Sequence, residues 1–151
     1  MSTRDEERAV SSEATSGAAP EPVDFWADFK RVHEVVRTRV IADTAEAAGL
    51  SEPDLSILVN LGKAGGALRQ SELAASLGWD RTRLSHQLTR MSARGLVIRE
   101  RTGGVIVALT DTGRAAIAAA QPGLDAAVRR HFTGKLSAQE IETLASVFSR
   151  F

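Results

Sequence analysis

The stretch Glu72-Leu73-Ala74-Ala75-Ser76-Leu77-Gly78-Trp79-Asp80-Arg81-Thr82-Arg83-Leu84-Ser85-His86-Gln87-Leu88-Thr89-Arg90-Met91-Ser92-Ala93-Arg94 reads as two helices and the tight turn between them. Leu73, Ala74 and Leu77 fall on one face of the first helix, Gly78 ends it, and Asp80 caps the second. From Arg81 to Arg94, Leu84, Leu88 and Met91 gather on one side at helical spacing, the side that anchors the segment to a core. Thr82, His86, Thr89, Arg90 and Ala93 lie opposite, with Arg83 and Ser85 at the edges, and no acidic residue occurs between Arg81 and Arg94. A merely solvated helix in this chain would alternate Glu with Arg. A face of arginine, hydroxyl and imidazole suits a DNA major groove. Arginine pairs bidentately with guanine, hydroxyls serve bases or phosphates, and the small Ala93 permits close approach.

Working outward, Leu50-Ser51-Glu52-Pro53-Asp54-Leu55 starts a helix near residue 52, with Ser51 as N-cap and Leu50 stapled to Leu55; it ends at Gly65-Gly66. On the other side, Leu96–Arg101 and Val105–Leu109 are β-branched-rich runs flanking Gly103-Gly104, a hairpin signal. Helix, short helix, turn, helix and hairpin in this order make a winged helix-turn-helix over about residues 51–110. Thr110-Asp111 then caps a long Ala-rich helix, with a kink or break expected near Gln121 because Pro122 removes a backbone hydrogen bond. Leu136-Ser137-Ala138-Gln139-Glu140-Ile141 is a capping box that opens a last helix near residue 138. A first helix runs from an Asp24 N-cap to about Ala48 and stops at Gly49, with Phe25, Phe29, Val32, Val36 and Val40 along one stripe.

The expected fold is mainly α with a small β-hairpin wing: a winged helix-turn-helix between terminal dimerisation helices at about 24–48 and 111–151. Six of the seven aromatics (Phe25, Trp26, Phe29, Phe132, Phe148, Phe151) sit in the terminal helices, and only Trp79 is central. Large aromatics dominate core and interface burial, and no continuous sheet is expected to cover them, so packing on a second subunit is favoured.

The 151 residues suit one domain, and the formal net charge of zero looks uninformative about partners. Resolved along the chain it is a cancellation. Residues 1–24 carry two basic and six acidic groups, a net of −4, whereas residues 69–101 carry seven arginines against three acids, a net of +4. Residues 1–22, dominated by Ser, Ala, Glu and Pro, are expected to be a disordered acidic arm. With no cysteine in the sequence, disulfides, thiolate metal sites and cysteine nucleophiles are excluded. No apolar run is long enough for a membrane span and no secretory signal is visible, so a cytoplasmic protein with no membrane partner is expected. The segments Gly-x-Ser-x-Gly, P-loop and Gly-x-Gly-x-x-Gly are missing, and no cofactor or catalytic residue is expected. His33, His86 and His131 share no ligand spacing, so no metal site is expected. His86 reads as a DNA contact. His33, with Trp26 and Arg37, either lines a small-molecule pocket between the dimerisation and DNA-binding parts or lies on an ordinary helix face.

The run from Gln70 to Arg99, with Leu73-Ala74, Leu77-Gly78-Trp79-Asp80-Arg81-Thr82-Arg83-Leu84-Ser85, Leu88-Thr89-Arg90-Met91 and Arg94-Gly95-Leu96-Val97-Ile98-Arg99, followed by Leu109-Thr110-Asp111-Thr112-Gly113-Arg114, resembles the MarR family of bacterial transcriptional regulators. The resemblance extends over about residues 24–151. It implies a homodimer held by the first and the two C-terminal helices. It also implies a double-stranded, pseudo-palindromic DNA operator and a repressor released by small aromatic or phenolic effectors. The family's wing carries an Asp-x-Arg pair whose arginine enters the minor groove; here the matching positions hold Arg101 and Gly103, and the wing is short. The expected DNA contacts are therefore Arg81, Thr82, Arg83, Ser85, His86 and Arg90 from the helix, and Arg99 and Arg101 from the wing. A second reading is a winged helix used only for protein contact or dimerisation, which the reduced wing favours.

Overall fold

Ser51 and Ser137 open two helices by the same chemistry. Asp54 N–H donates to Ser51 Oγ (3.3 Å) while the Ser51 N–H donates to the Asp54 carboxylate (2.9 Å); Ser137 and Glu140 exchange the matching pair at 3.3 and 2.7 Å. Each box satisfies two amide groups that a helix start otherwise leaves without partners. These caps and others set the element order in the computed structural model, which describes residues 19–151: α1 (Pro22–Ala48), α2 (Glu52–Lys63), β1 (Ala67–Arg69), α3 (Gln70–Leu77), α4 (Arg81–Ala93), β2 (Val97–Arg101), β3 (Val105–Leu109), α5 (Asp111–His131), a 3₁₀ turn (Thr133–Lys135) and α6 (Ala138–Phe148). The architecture is the mainly α winged helix-turn-helix expected from the sequence.

Two sequence expectations are corrected. Asp24 is not the N-cap of α1; Glu21 occupies that position and Pro22 is the first helical residue. Proline lacks an N–H and has its φ already set for a helix, so it starts one readily, and Asp24 instead places its charge in the first turn. Residues 1–18 of the expected arm lie outside the described residues. Second, of the kink or break expected near Gln121, the break does not occur: α5 is continuous through Pro122 to His131. Ala120 and Ala127 on either side are buried, and α5 packs along α1, so tertiary burial overrides the local cost of the proline. The expected hairpin is present as β2 and β3, and β1 extends it to a three-stranded antiparallel sheet in the order β1-β3-β2, with Leu68 opposite Val107 and Arg99 opposite Val107 on the other side.

The core belongs to the central segment. Ile57, Leu58, Leu61, Leu73, Leu84, Leu88, Met91 and Val107 are completely buried. Gly78 adopts the left-handed conformation (φ 63°) between α3 and α4, where a side chain would be strained. The terminal helices contribute little to this core. Phe25, Trp26 and Phe29 are 62%, 59% and 47% exposed, Phe148 is also exposed, and no residue of α6 is buried. Two polar straps tie α1 to the rest. Arg37 on α1 pairs with Glu34 (2.7 Å) and with Glu52 at the start of α2 (2.5 Å). Asp43 accepts from Arg130 at 2.9 Å, and His131 Nε2 lies 2.8 Å from the same oxygen, joining α1 to α5.

Candidate nucleic-acid interface

Asp80 makes the first turn of α4. Its carboxylate accepts the Arg83 N–H at 2.8 Å, while Leu84, Leu88 and Met91 hold the inner face in the core. The opposite face is thereby fixed outward: Arg81, Thr82, Arg83, His86, Thr89, Arg90 and Ala93 are exposed and Ser85 is half-buried. The six helix residues singled out from the sequence all lie on α4 outside the core, five exposed and Ser85 half-buried, and the first turn is free of acid.

Several of these side chains are already held in place. The Arg83 guanidinium lies 4.1 Å from the centre of the Trp79 ring, a cation–π arrangement. Arg90 donates to Gln87 Oε1, and Gln87 Nε2 donates in turn to Asp54 Oδ1 at 2.7 Å. Asp54 is 1% exposed, and its second oxygen accepts from Arg94 at 2.6 Å. Arg94 also donates to the Gly49 carbonyl at 3.0 Å. Burial alone would raise the Asp54 carboxyl, but the Arg94 hydrogen bond and the Ser51 amide and hydroxyl outweigh it and hold it below its ordinary value. A chain of contacts thus runs from the α1–α2 junction through a buried carboxylate to an arginine on the outer face of α4. Gln87 and Asp54 were not singled out from the sequence. The available signal was a glutamine on the same stripe as Leu84, Leu88 and Met91, where a polar group needs a buried partner.

In the wing, Arg99 Nη2 donates to Thr89 Oγ1 at 3.1 Å, and Thr89 Oγ1 donates to the Ser85 carbonyl at 3.0 Å, so β2 is tied to α4. Arg101 is exposed at the end of β2. The tip Thr102-Gly103-Gly104 turns with φ of 62° and 140° at its glycines. Arg69, at the end of β1, donates to the Gly103 carbonyl at 3.2 Å. Together with Ser71, Arg81, Leu84 and Gly104 it borders an open cleft of about 260 Å³. The sequence reading missed Arg69 as a wing-tip cation, because β1 is three residues long and its pairing with β3 is non-local.

Of the three residues considered for a small molecule, Trp26 and His33 share one stack through Phe29, with ring centres 5.8 and 6.2 Å apart. Arg37 is not part of that stack. Its guanidinium is held by Glu34 and Glu52, whose hydrogen bonds keep it protonated and raise its pKa above the ordinary value. Among the described residues, no group of three His, Asp or Glu is placed to hold a metal ion, and no helix is long and apolar enough to cross a membrane.

A MarR family sequence model matches residues 48–105, the segment from the end of α1 through the wing tip. No curated protein matches the chain. Among solved structures, AbsC, a MarR family transcriptional regulator from Streptomyces coelicolor, is 30% identical, with a TM-score of 0.75 over 88% of this chain and 93% of that one. Sco3205, a MarR family transcriptional regulator from the same organism solved in complex with DNA, is 25% identical, with a TM-score of 0.76 over 88% and 90%. A MarR family regulator from Rhodococcus sp. RHA1 shares the fold at 23% identity and a TM-score of 0.75, over 87% and 94%. The 30% identity to AbsC with near-complete coverage of both chains identifies this chain as a member of the MarR family of winged-helix transcriptional regulators.

Proposed function

We propose that the protein is a homodimeric repressor in which two copies of α4 enter successive major grooves of a pseudo-palindromic operator, acting on DNA in the cytoplasm and catalysing no reaction. The observation that carries this reading is the outer face of α4, where Arg81, Thr82, Arg83, Ser85, His86 and Arg90 face away from the core without an acidic neighbour between Arg81 and Arg94. Arg99 and Arg101 hold the DNA backbone from the wing. The DNA complex of Sco3205 supports the same use of the fold here. The proposal divides the chain accordingly. A winged helix-turn-helix over about 51–110 reads DNA, and helices at about 24–48 and 111–151 bring two copies together through aromatics that one chain leaves exposed. Relief by a small aromatic effector, with Trp26, His33 and Arg37 as its candidate contacts, completes the proposal.

Fluorescence anisotropy with a duplex spanning the DNA upstream of the protein's own coding sequence tests the reading. The logarithm of the binding constant should fall linearly with the logarithm of salt, by about 0.9 per phosphate neutralised. Arg83→Ala should weaken binding without altering the dimer, and unchanged affinity would remove Arg83 from the interface. Indifference to that DNA, combined with salt-insensitive capture of a protein, would favour an interaction module instead.

A further inference from the structure

We infer that Trp79 is a positioning residue for base recognition: its indole is a platform that presents the N–H edge of Arg83 to a G·C pair at the start of α4. The inference rests on the operator reading above and names the residue pair that would give part of its specificity.

Four other arginines near this face are held through their N–H groups. Arg69 donates to Gly103, Arg90 to Gln87, Arg94 to Asp54 and Gly49, and Arg99 to Thr89. Each such bond uses part of the donor fork. Arg83 is held differently: its guanidinium carbon lies over the Trp79 ring, 4.1 Å from the ring centre, and among the described residues its side-chain N–H groups make no hydrogen bond. Stacking leaves the in-plane donors unspent, and those donors form the bidentate pattern that matches guanine O6 and N7.

The platform is itself fixed. Trp79 is half-buried and its ring packs against the core cluster, while its backbone N–H donates to the Ala74 carbonyl at 3.0 Å. The backbone of Arg83 is fixed from the other side by its N–H bond to Asp80. Two independent restraints, one on the main chain and one on the side chain, converge on a single residue in the first exposed turn of α4. An arginine ordered before DNA arrives loses less freedom on binding, so the gain is confined to the base pair that this arginine reads.

The experiment begins with selection of binding sites from a randomised duplex pool by the native full-length protein. Affinities are then measured for the selected duplex and for duplexes with each base pair replaced in turn, using native protein, Trp79→Leu, Trp79→Phe, Arg83→Ala and Trp79→Leu/Arg83→Ala. Trp79→Leu should lower the preference for G·C at one symmetry-related pair of positions by about two- to fivefold. The salt slope should stay unchanged, and Trp79→Phe should restore most of the preference. Arg83→Ala should abolish the preference at the same positions, and adding Trp79→Leu to it should cost nothing further there. Uniform weakening at every position, or a Trp79→Leu effect that persists without Arg83, would overturn the inference in favour of a packing role. Tighter binding by Trp79→Leu would overturn it in favour of an arginine parked away from DNA. A selection that enriches no sequence would remove the operator reading, and this inference with it.

Discussion

Asp54 is a carboxylate removed from water and surrounded by donors: the Ser51 amide, the Gln87 amide and the Arg94 guanidinium. Removing one partner from such a group costs more than the bond alone, because the others are left facing an apolar interior. Asp54→Ala should therefore destabilise the fold by about 1–3 kcal/mol in urea denaturation, the lower part of the range reflecting an Arg94 that can turn to solvent. Operator affinity should fall as well, since Gln87 no longer fixes Arg90. The pH dependence has a definite sign. The folded carboxyl sits below the ordinary value of 3.8, so its contribution is complete well above that pH and is lost as pH falls through the folded value. The stability gap between native protein and Asp54→Ala should be flat above about pH 5 and close on acidification. The outward residues of α4 were legible because a helix repeats, so fixing the apolar stripe fixes its opposite. Asp54 was legible only as part of a helix start. Its second partner is 33 residues away, a relation that no local pattern carries.

Elements are set by their junctions as much as by their interiors. Thr110 caps α5 through the Gly113 N–H (2.9 Å) and donates to the Gly95 and Leu96 carbonyls, so α5 begins against the turn that leaves α4. The approach is close enough that a methyl group on Gly113 would stand 2.1 Å from the Leu96 oxygen. Gly113→Ala should cost about 1–3 kcal/mol, readable as a lower urea midpoint with an unchanged slope. Pro122 gives the opposite prediction. It leaves the Ala118 carbonyl without its helical donor, in a helix that continues regardless. Pro122→Ala should raise stability by about 2 kcal/mol, seen as a higher melting temperature, and no change would mean that the helix had already accommodated the missing bond. The caps, the glycine stop at Gly78 and the two hairpin strands could all be read from short motifs. The path of α5 through a proline could not, because packing along α1 decides it, and β1 could not, because three residues show no period.

One chain leaves its longest helix largely uncovered, with Val23, Phe25, Trp26, Phe29, Val32 and Val35 all exposed. Phe29→Glu should leave the monomer folded, because Phe29 is 47% exposed, and shift the protein to monomers at micromolar concentration in sedimentation. Operator affinity would drop with it. The clustering of aromatics in the terminal helices made this surface legible, whereas the Asp43–Arg130–His131 strap that orients α1 on α5 joins positions 87 and 88 residues apart and left no local trace. The bond from Arg94 to the Gly49 carbonyl has a mechanical consequence. It fastens the end of α4 to the end of α1, so the two helices form a crank whose arm is 27 residues, or about 40 Å, long. A tilt of about 5° at the far end of such an arm displaces its near end by about 3.5 Å, close to the rise of one base-pair step. A dimer geared in this way would convert a small reseating of its subunits into a whole-step error in the spacing of its two reading heads.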